Sequence, residues 1–146
     1  MSDADLAGKE YLGRGWAFPV RWTREHGLVL VEAEEAVRQA VLLLLRTGID
    51  ERVMRPGFGA GVDRYVFAER TEETAFRLQE DVRRALVRWE PRVVVDRLET
   101  TISADDVARI DVQVEYHVDP HRRPQSLVFP FYLADASPVP ATATVR

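Results

Sequence analysis

At Pro91 the chain changes its hydrophobic period abruptly, and no other feature restricts the fold as much. Upstream, Ala75, Leu78, Val82, Ala85, Leu86 and Trp89 recur at three- and four-residue spacing, while Arg77, Glu80, Asp81, Arg84 and Arg88 fill the other side. That pattern predicts an amphipathic helix lying on a surface. Thr71 is its expected N-cap, with Glu72 and Glu73 in the first turn. Proline disfavours helical backbone angles in the residue before it, so the helix should end near Glu90. Directly after it comes the β-branched run "RVVVDRLETTIS". A helix that passes straight into a strand calls for a fold in which helices cover a sheet.

The other segments extend that expectation. In "VARIDVQVEYHV", Ala108, Ile110, Val112, Val114, Tyr116 and Val118 alternate with polar residues, which predicts an antiparallel strand with one buried face. "SLVFPFYLA" alternates as well, with Leu127, Phe129, Phe131 and Leu133 on one side. Its Pro130 cannot donate to a ladder, so this strand should be short or at an edge. A first helix is predicted in "EAEEAVRQAVLLLLRTG", with acids at its start, Arg46 in its last turn and Gly48 as C-cap. Apolar residues on nearly every face from Val41 to Leu45 mark it as the central helix. "FPVRWTREHGLVLVE" reads as two short strands around a turn near His26-Gly27. Pro56, Gly57, Gly59 and Gly61 prevent a long regular element in residues 49–67. The expected fold is α+β: two helices packed on a mostly antiparallel sheet in a single domain. Residues 1–15 are expected to be loosely ordered, 16–133 to form the domain, and 134–146 to be a Pro/Ala/Thr-rich tail.

Composition excludes several chemistries. The chain has 146 residues and no cysteine, so disulfide scaffolds, thiolate zinc sites and cysteine nucleophiles are ruled out. A net charge of −4 predicts no nucleic-acid partner. Lys9 is the single lysine beside many arginines, a bias that also supplies forked contacts to carboxylates. The apolar run "AVLLLL" is far shorter than the ~18–20 residues of a membrane span. No leader pattern is visible, so a cytoplasmic site of assembly and no membrane insertion are expected. Ser2, Ser103, Ser126 and Ser137 lack the strand–turn–helix elbow of a serine hydrolase. His117 and His121 stand at a strand end with Pro120 between them, which predicts exposed histidines rather than a metal site. "GFGAG" has neither dinucleotide spacing nor a phosphate-loop lysine; its glycines are expected to permit tight backbone angles. Glu99, Asp111 and Glu115 fall on outward strand positions, and only Glu90 has an unusual setting. No cofactor and no metal are expected.

Taken together, "TGIDERVMRPGFGAGV", "ALVRWEPRVVV" and "VFPFYL" resemble the small baseplate wedge, or sheath-initiator, family of contractile machines. Those machines are contractile phage tails, type VI secretion systems and extracellular contractile injection systems. The matching residues are Thr47-Gly48, Glu51-Arg52-Val53-Met54-Arg55-Pro56, Phe58-Gly59 and Trp89-Glu90-Pro91-Arg92. "GRGWAFPVR" is similar to the family's opening segment. Where the family usually has Gly-Glu-Arg, this chain has Ile49-Asp50-Glu51-Arg52. The resemblance implies a structural part of a baseplate, near the inner tube and held by larger wedge proteins. It also implies a sheet edge offered to strands from the first ring of sheath subunits. The family is lysozyme-like in name, so a cell-wall hydrolase at the tail tip is the alternative. A stand-alone adaptor with the same fold is a third reading.

By the same resemblance, Glu90, Pro91 and Arg92 form the contact with the wedge core, and Arg52, Arg55 and Phe58 in the preceding loop form another wall of that surface. Pro91 is expected to stiffen the joint and hold the two charges apart. An internal pair involving Arg55 or another loop residue is the competing reading. Trp89 is assigned mainly to the core.

Overall fold

The computed structural model describes residues 13–25, 27–106, 108–118 and 123–133. It divides into two compact units, residues 1–42 and 43–146.

The described residues of the first unit hold four short strands and the start of a helix. Strand β1 (Arg14–Trp16) pairs antiparallel with β4 (Leu30–Glu32), and β2 (Trp22–Thr23) pairs with β3 (Gly27–Leu28). The two strands expected here are thus four, arranged as nested pairs around the predicted turn. Gly27 has a φ of +67°, the left-handed conformation that glycine tolerates best. His26 lies outside the described residues, as does the segment before residue 13. Strand β1 begins at Arg14, slightly before the expected domain boundary.

Helix α1 spans Ala33–Arg46, with Glu34 and Glu35 in its first turn and Arg46 in its last, opposite in sign to the helix dipole at each end. Val37, Val41, Leu44 and Leu45 are fully buried. Its C-terminus differs from the sequence expectation, because Gly48 does not take the left-handed conformation of a glycine cap. One long-range and one local contact satisfy terminal carbonyls instead. The Ala60 N–H donates to Leu44 O at 3.1 Å, and the Thr47 hydroxyl donates to Leu43 O at 2.6 Å. The loop therefore folds back onto the helix end and does locally what a C-cap would do.

Within the second unit, a single 3-10 turn (Val62–Tyr65) interrupts the loop before α2 (Glu72–Trp89). The Thr71 side chain accepts from the Thr74 N–H, as its N-cap role requires. Ala75, Leu78, Val82, Ala85 and Leu86 form the buried stripe. Strands β5 (Val93–Ile102), β6 (Arg109–Val118) and β7 (Gln125–Tyr132) follow as an antiparallel meander in the order β5-β6-β7. Helix α2 packs across β5, and the Thr100 hydroxyl donates to Ala75 O at 2.8 Å to tie the two. Ile110, Val112, Val114, Tyr116 and Val118 on β6 face the core, together with Leu127, Phe129, Phe131 and Leu133. Among the described residues the architecture is α+β, with antiparallel sheets and two helices.

Strand β7 is an outer strand, as Pro130 predicts. The Leu133 N–H turns inward to Ala108 O, so by strand alternation Pro130 falls in the row facing away from β6. The missing donor therefore costs the ladder nothing. At the other edge, β5 carries a bulge between Val95 and Arg97, which leaves Asp96 beside His117. His117 Nδ1 lies 2.8 Å from an Asp96 carboxylate oxygen, and its side chain is 17% exposed. His117 is thus half-buried and paired, not the solvent-exposed residue expected, because the bulge turns an acid toward it. His121 lies outside the described residues.

Candidate functional site: the helix–strand joint and its loop

Proline shapes the joint through its fixed φ. Helix α2 ends when the Glu90 N–H makes the last helical bond, to Leu86 O at 2.9 Å. The Val93 N–H then donates to Glu90 O at 3.0 Å. Residues 90–93 therefore form a β-turn with Pro91 in its second position, where the ring's fixed φ is already suitable. That turn brings the side chains of Glu90 and Arg92 to the same side. Arg92 Nε donates to Glu90 Oε1 at 2.5 Å and Arg92 Nη2 donates to Oε2 at 2.7 Å. The two charges are joined by a forked ion pair, not held apart as the sequence reading had it. The turn geometry, invisible in the spacing, is the cause. Glu90 is 5% exposed, whereas the Arg92 side chain keeps 34% of its surface. The hydrogen bond that Arg92 donates to Glu90 raises the Arg92 pKa, against a smaller opposing effect of burial.

Residues 49–59 build a second wall. The Gly48 N–H donates to Glu51 Oε2 at 2.7 Å, the Asp50 N–H donates to Pro56 O at 2.7 Å, and the Phe58 N–H donates to Arg55 O at 3.0 Å. Asp50 stands at a φ of 69°, a conformation Asp tolerates better than most residues. This closed loop brings the Phe58 ring within 5.4 Å of the Trp89 ring, at an interplanar angle of 60°. Arg52 caps the outer face of Phe58 at 4.1 Å, and Arg88 lies 4.9 Å from the Trp89 ring centre. Cation, ring, ring and cation thus form one stack, each aromatic–cation contact adding about 0.5–1 kcal/mol at an exposed site. Trp89 is half-exposed in this stack, a correction to its assignment to the core. Its face is needed by Phe58 and Arg88.

Four of the six residues singled out by sequence therefore take part in contacts described here: Arg52 and Phe58 in the stack, Glu90 and Arg92 in the pair. Pro91 shapes the turn. Arg55 and its neighbours Val53 and Met54 are exposed at the loop tip. Among the described residues, no ion pair engages the Arg55 guanidinium.

A cleft between this loop and α2 was not anticipated. Its volume is about 130 Å³, and Arg64, Asp81, Arg84, Arg88 and Trp89 contribute to its wall. Asp81 Oδ2 accepts from Arg64 Nη2 at 3.0 Å and from the Tyr65 hydroxyl at 2.7 Å, while Oδ1 lies 3.1 Å from Arg84 Nη1. Burial first, and then the bond to Asp81, push the Tyr65 phenol up to about 12. The sequence signal was the spacing of Asp81, Arg84 and Arg88, three and four apart along one helical face. Their convergence with Arg64 depends on the return of the loop.

Two buried or partly buried acids among the described residues are tied up in pairs. Glu90 is held by Arg92, and both oxygens of Asp81 are occupied. Ser103 is buried, and its hydroxyl accepts from the Asp106 N–H, so it serves a turn.

Three solved structures resemble this chain over most of their own length. A protein from Geobacter sulfurreducens that carries the name tail lysozyme is 33% identical, with 75% of this chain and 98% of that one covered and a TM-score of 0.67. A component of the anti-feeding prophage baseplate is 28% identical, with 75% and 88% covered and a TM-score of 0.71. A chain of the postcontracted pyocin R2 baseplate, at 24% identity, with 68% and 98% covered and a TM-score of 0.54, shares the fold. No curated protein matches the chain. The family model described as baseplate wedge protein gp25 matches residues 31–122, which include α2, the Glu90–Arg92 joint and the loop wall. The chain belongs to the family of baseplate wedge proteins.

Proposed function

We propose that this protein is a non-enzymatic baseplate component of a contractile injection system. It docks to larger wedge proteins through the Glu90-Pro91-Arg92 joint and the Arg52–Phe58 loop. It then seeds the sheath by offering an outer strand of its three-stranded sheet to the first ring of sheath subunits. The observation that carries the second step is the open meander. Among the described residues, β5 and β7 each have one unpaired side. An open edge of this kind recruits strands in a defined register, through backbone hydrogen bonds and alternate side-chain pockets. Pro130 removes one outward donor from β7, whereas β5 runs regularly from Arg97 to Ile102 beyond its bulge.

A structure of the assembled baseplate with its first sheath ring tests this reading. Main-chain hydrogen bonds from a sheath arm to β5 or β7 are expected. Sheath contacts made only by side chains on the helices would sink the strand-addition step.

The name tail lysozyme belongs to the Geobacter protein. For the present chain, the occupied oxygens of Glu90 and Asp81 favour a structural role over acid catalysis. Purified protein is expected to release nothing from peptidoglycan. Turnover that is abolished by Glu90→Gln, with the fold intact, would overturn that expectation.

A further inference from the structure

The cleft beside Trp89 holds an imbalance of charge that neither the wedge contact nor the sheath edge uses. Three guanidinium groups, from Arg64, Arg84 and Arg88, face one carboxylate, Asp81. Two of the three are already fastened to that carboxylate. Arg88 is not. It lies over the Trp89 ring at 4.9 Å, and no described carboxylate pairs with it. Its Nη2 is 4.0 Å from the point where a Cβ on Gly57 would stand, so the glycine leaves the guanidinium uncovered on the cleft side. Stacking fixes the plane of a guanidinium without consuming its N–H donors. All three cations thus converge on the cleft before any ligand arrives, Arg64 and Arg84 through Asp81 and Arg88 through the Trp89 ring.

Size and lining narrow the ligand class. A volume of about 130 Å³ is well below the ~300–1,000 Å³ typical of small-molecule sites. A space of that size suits one side chain rather than a whole small molecule. Apart from the charged groups, the lining is Ile49, Trp89 and small residues. That surface suits the methylenes of a side chain, and the cationic rim suits its end group. Forked donors match a carboxylate in plane, and a carboxylate would restore the charge balance.

We propose that this cleft receives one aspartate or glutamate side chain of a partner polypeptide, presented next to an apolar residue. Arg88 and Arg84 grip the carboxylate, Trp89 and Ile49 contact the apolar neighbour, and Asp81 keeps Arg64 and Arg84 in place. The site adjoins the Glu90–Arg92 joint; it shares Arg88 and Trp89 with the aromatic–cation stack and Gly57 with the loop wall. It does not rest on the proposed wedge and sheath roles.

The test uses the full-length chain in solution. The Trp89 indole N–H and the Arg84 and Arg88 Nε–H signals are followed by NMR during titration with the blocked peptide acetyl-Gly-Leu-Glu-Gly-amide. The same peptide with Gln in place of Glu serves as the neutral probe. Saturable shifts confined to the cleft are expected with the Glu peptide, and about tenfold weaker binding with the Gln peptide, the loss associated with one charge-assisted contact. Arg88→Gln should weaken the Glu peptide by about the same factor. Arg77→Gln should change binding far less, because Arg77 pairs with Glu73 and does not line the cleft. Equal binding of the two peptides would overturn the proposal. So would an equal loss in Arg77→Gln, or displacement of the peptide by inorganic phosphate at equal concentration, since each would indicate unspecific attraction of anions.

Discussion

Gly59→Ala is expected to destabilise the protein by about 4 kcal/mol, a loss found only where a named structural feature breaks. Gly59 has a φ of +127°, which side chains with a Cβ rarely adopt. A Cβ there would stand 2.4 Å from Thr47 O and 2.9 Å from Gly48 O, both backbone atoms that cannot swing aside. Moving the loop away would break the Ala60 N–H bond to Leu44 O and uncap α1. Backbone strain contributes about 1–3 kcal/mol, and the clash and lost bond contribute the rest. The melting temperature should fall by roughly 15 °C for a domain of this size. Gly57→Ala is the internal control, because its Cβ would meet only side chains, the edge of Trp89 at 3.7 Å and Arg88 Nη2 at 4.0 Å, both ordinary contacts. It should shift stability by less than about 1 kcal/mol. Urea denaturation of both variants distinguishes a local requirement for glycine at residue 59 from a general need for a flexible loop. Equal effects would refute the close-approach account.

Arg92→Ala should cost about 2 kcal/mol in the isolated protein, because it leaves the buried Glu90 carboxylate without its fork. Breaking a fully buried pair costs about 3–5 kcal/mol, and the one-third exposure of Arg92 reduces that figure. A failure of this variant to enter baseplates would therefore be ambiguous. The double variant Glu90→Gln with Arg92→Gln separates the two roles. It removes both charges together, so no unpaired ion remains, and thermal melting should show most of the stability restored. If the joint docks to a charged partner, this folded variant should still be excluded from assembled particles, since losing a desolvated charged contact costs about 2–5 kcal/mol of binding. Particles that incorporate it and carry normal sheaths would show that the pair serves only the turn.

The parts of this protein that follow from neighbouring residues were legible before any coordinates. Thr71, the three-and-four spacing up to Trp89, and Pro91 define α2 almost to the residue, because capping, period and termination all act within one or two turns. Alternation defines β6 and its buried face, and Pro130 marks β7 as an outer strand, because a missing N–H is a local fact with one structural consequence. Family motifs likewise pointed to the loop and joint as one neighbourhood. Everything that depends on return of the chain was decided by tertiary structure. The end of α1 is capped by Ala60 rather than by Gly48, since the loop carries a donor back to it. Glu90 and Arg92 meet because the 90–93 turn closes. Trp89 is only partly buried because it packs against Phe58 of the loop and Arg88 of its own helix. Arg64 joins Arg84 and Arg88 around Asp81 across a separation in sequence that no periodicity encodes. Local pattern determines which elements form and which face each one buries. Which charges then share a cleft, and hence what the surface can bind, is determined by the packing of loop on helix.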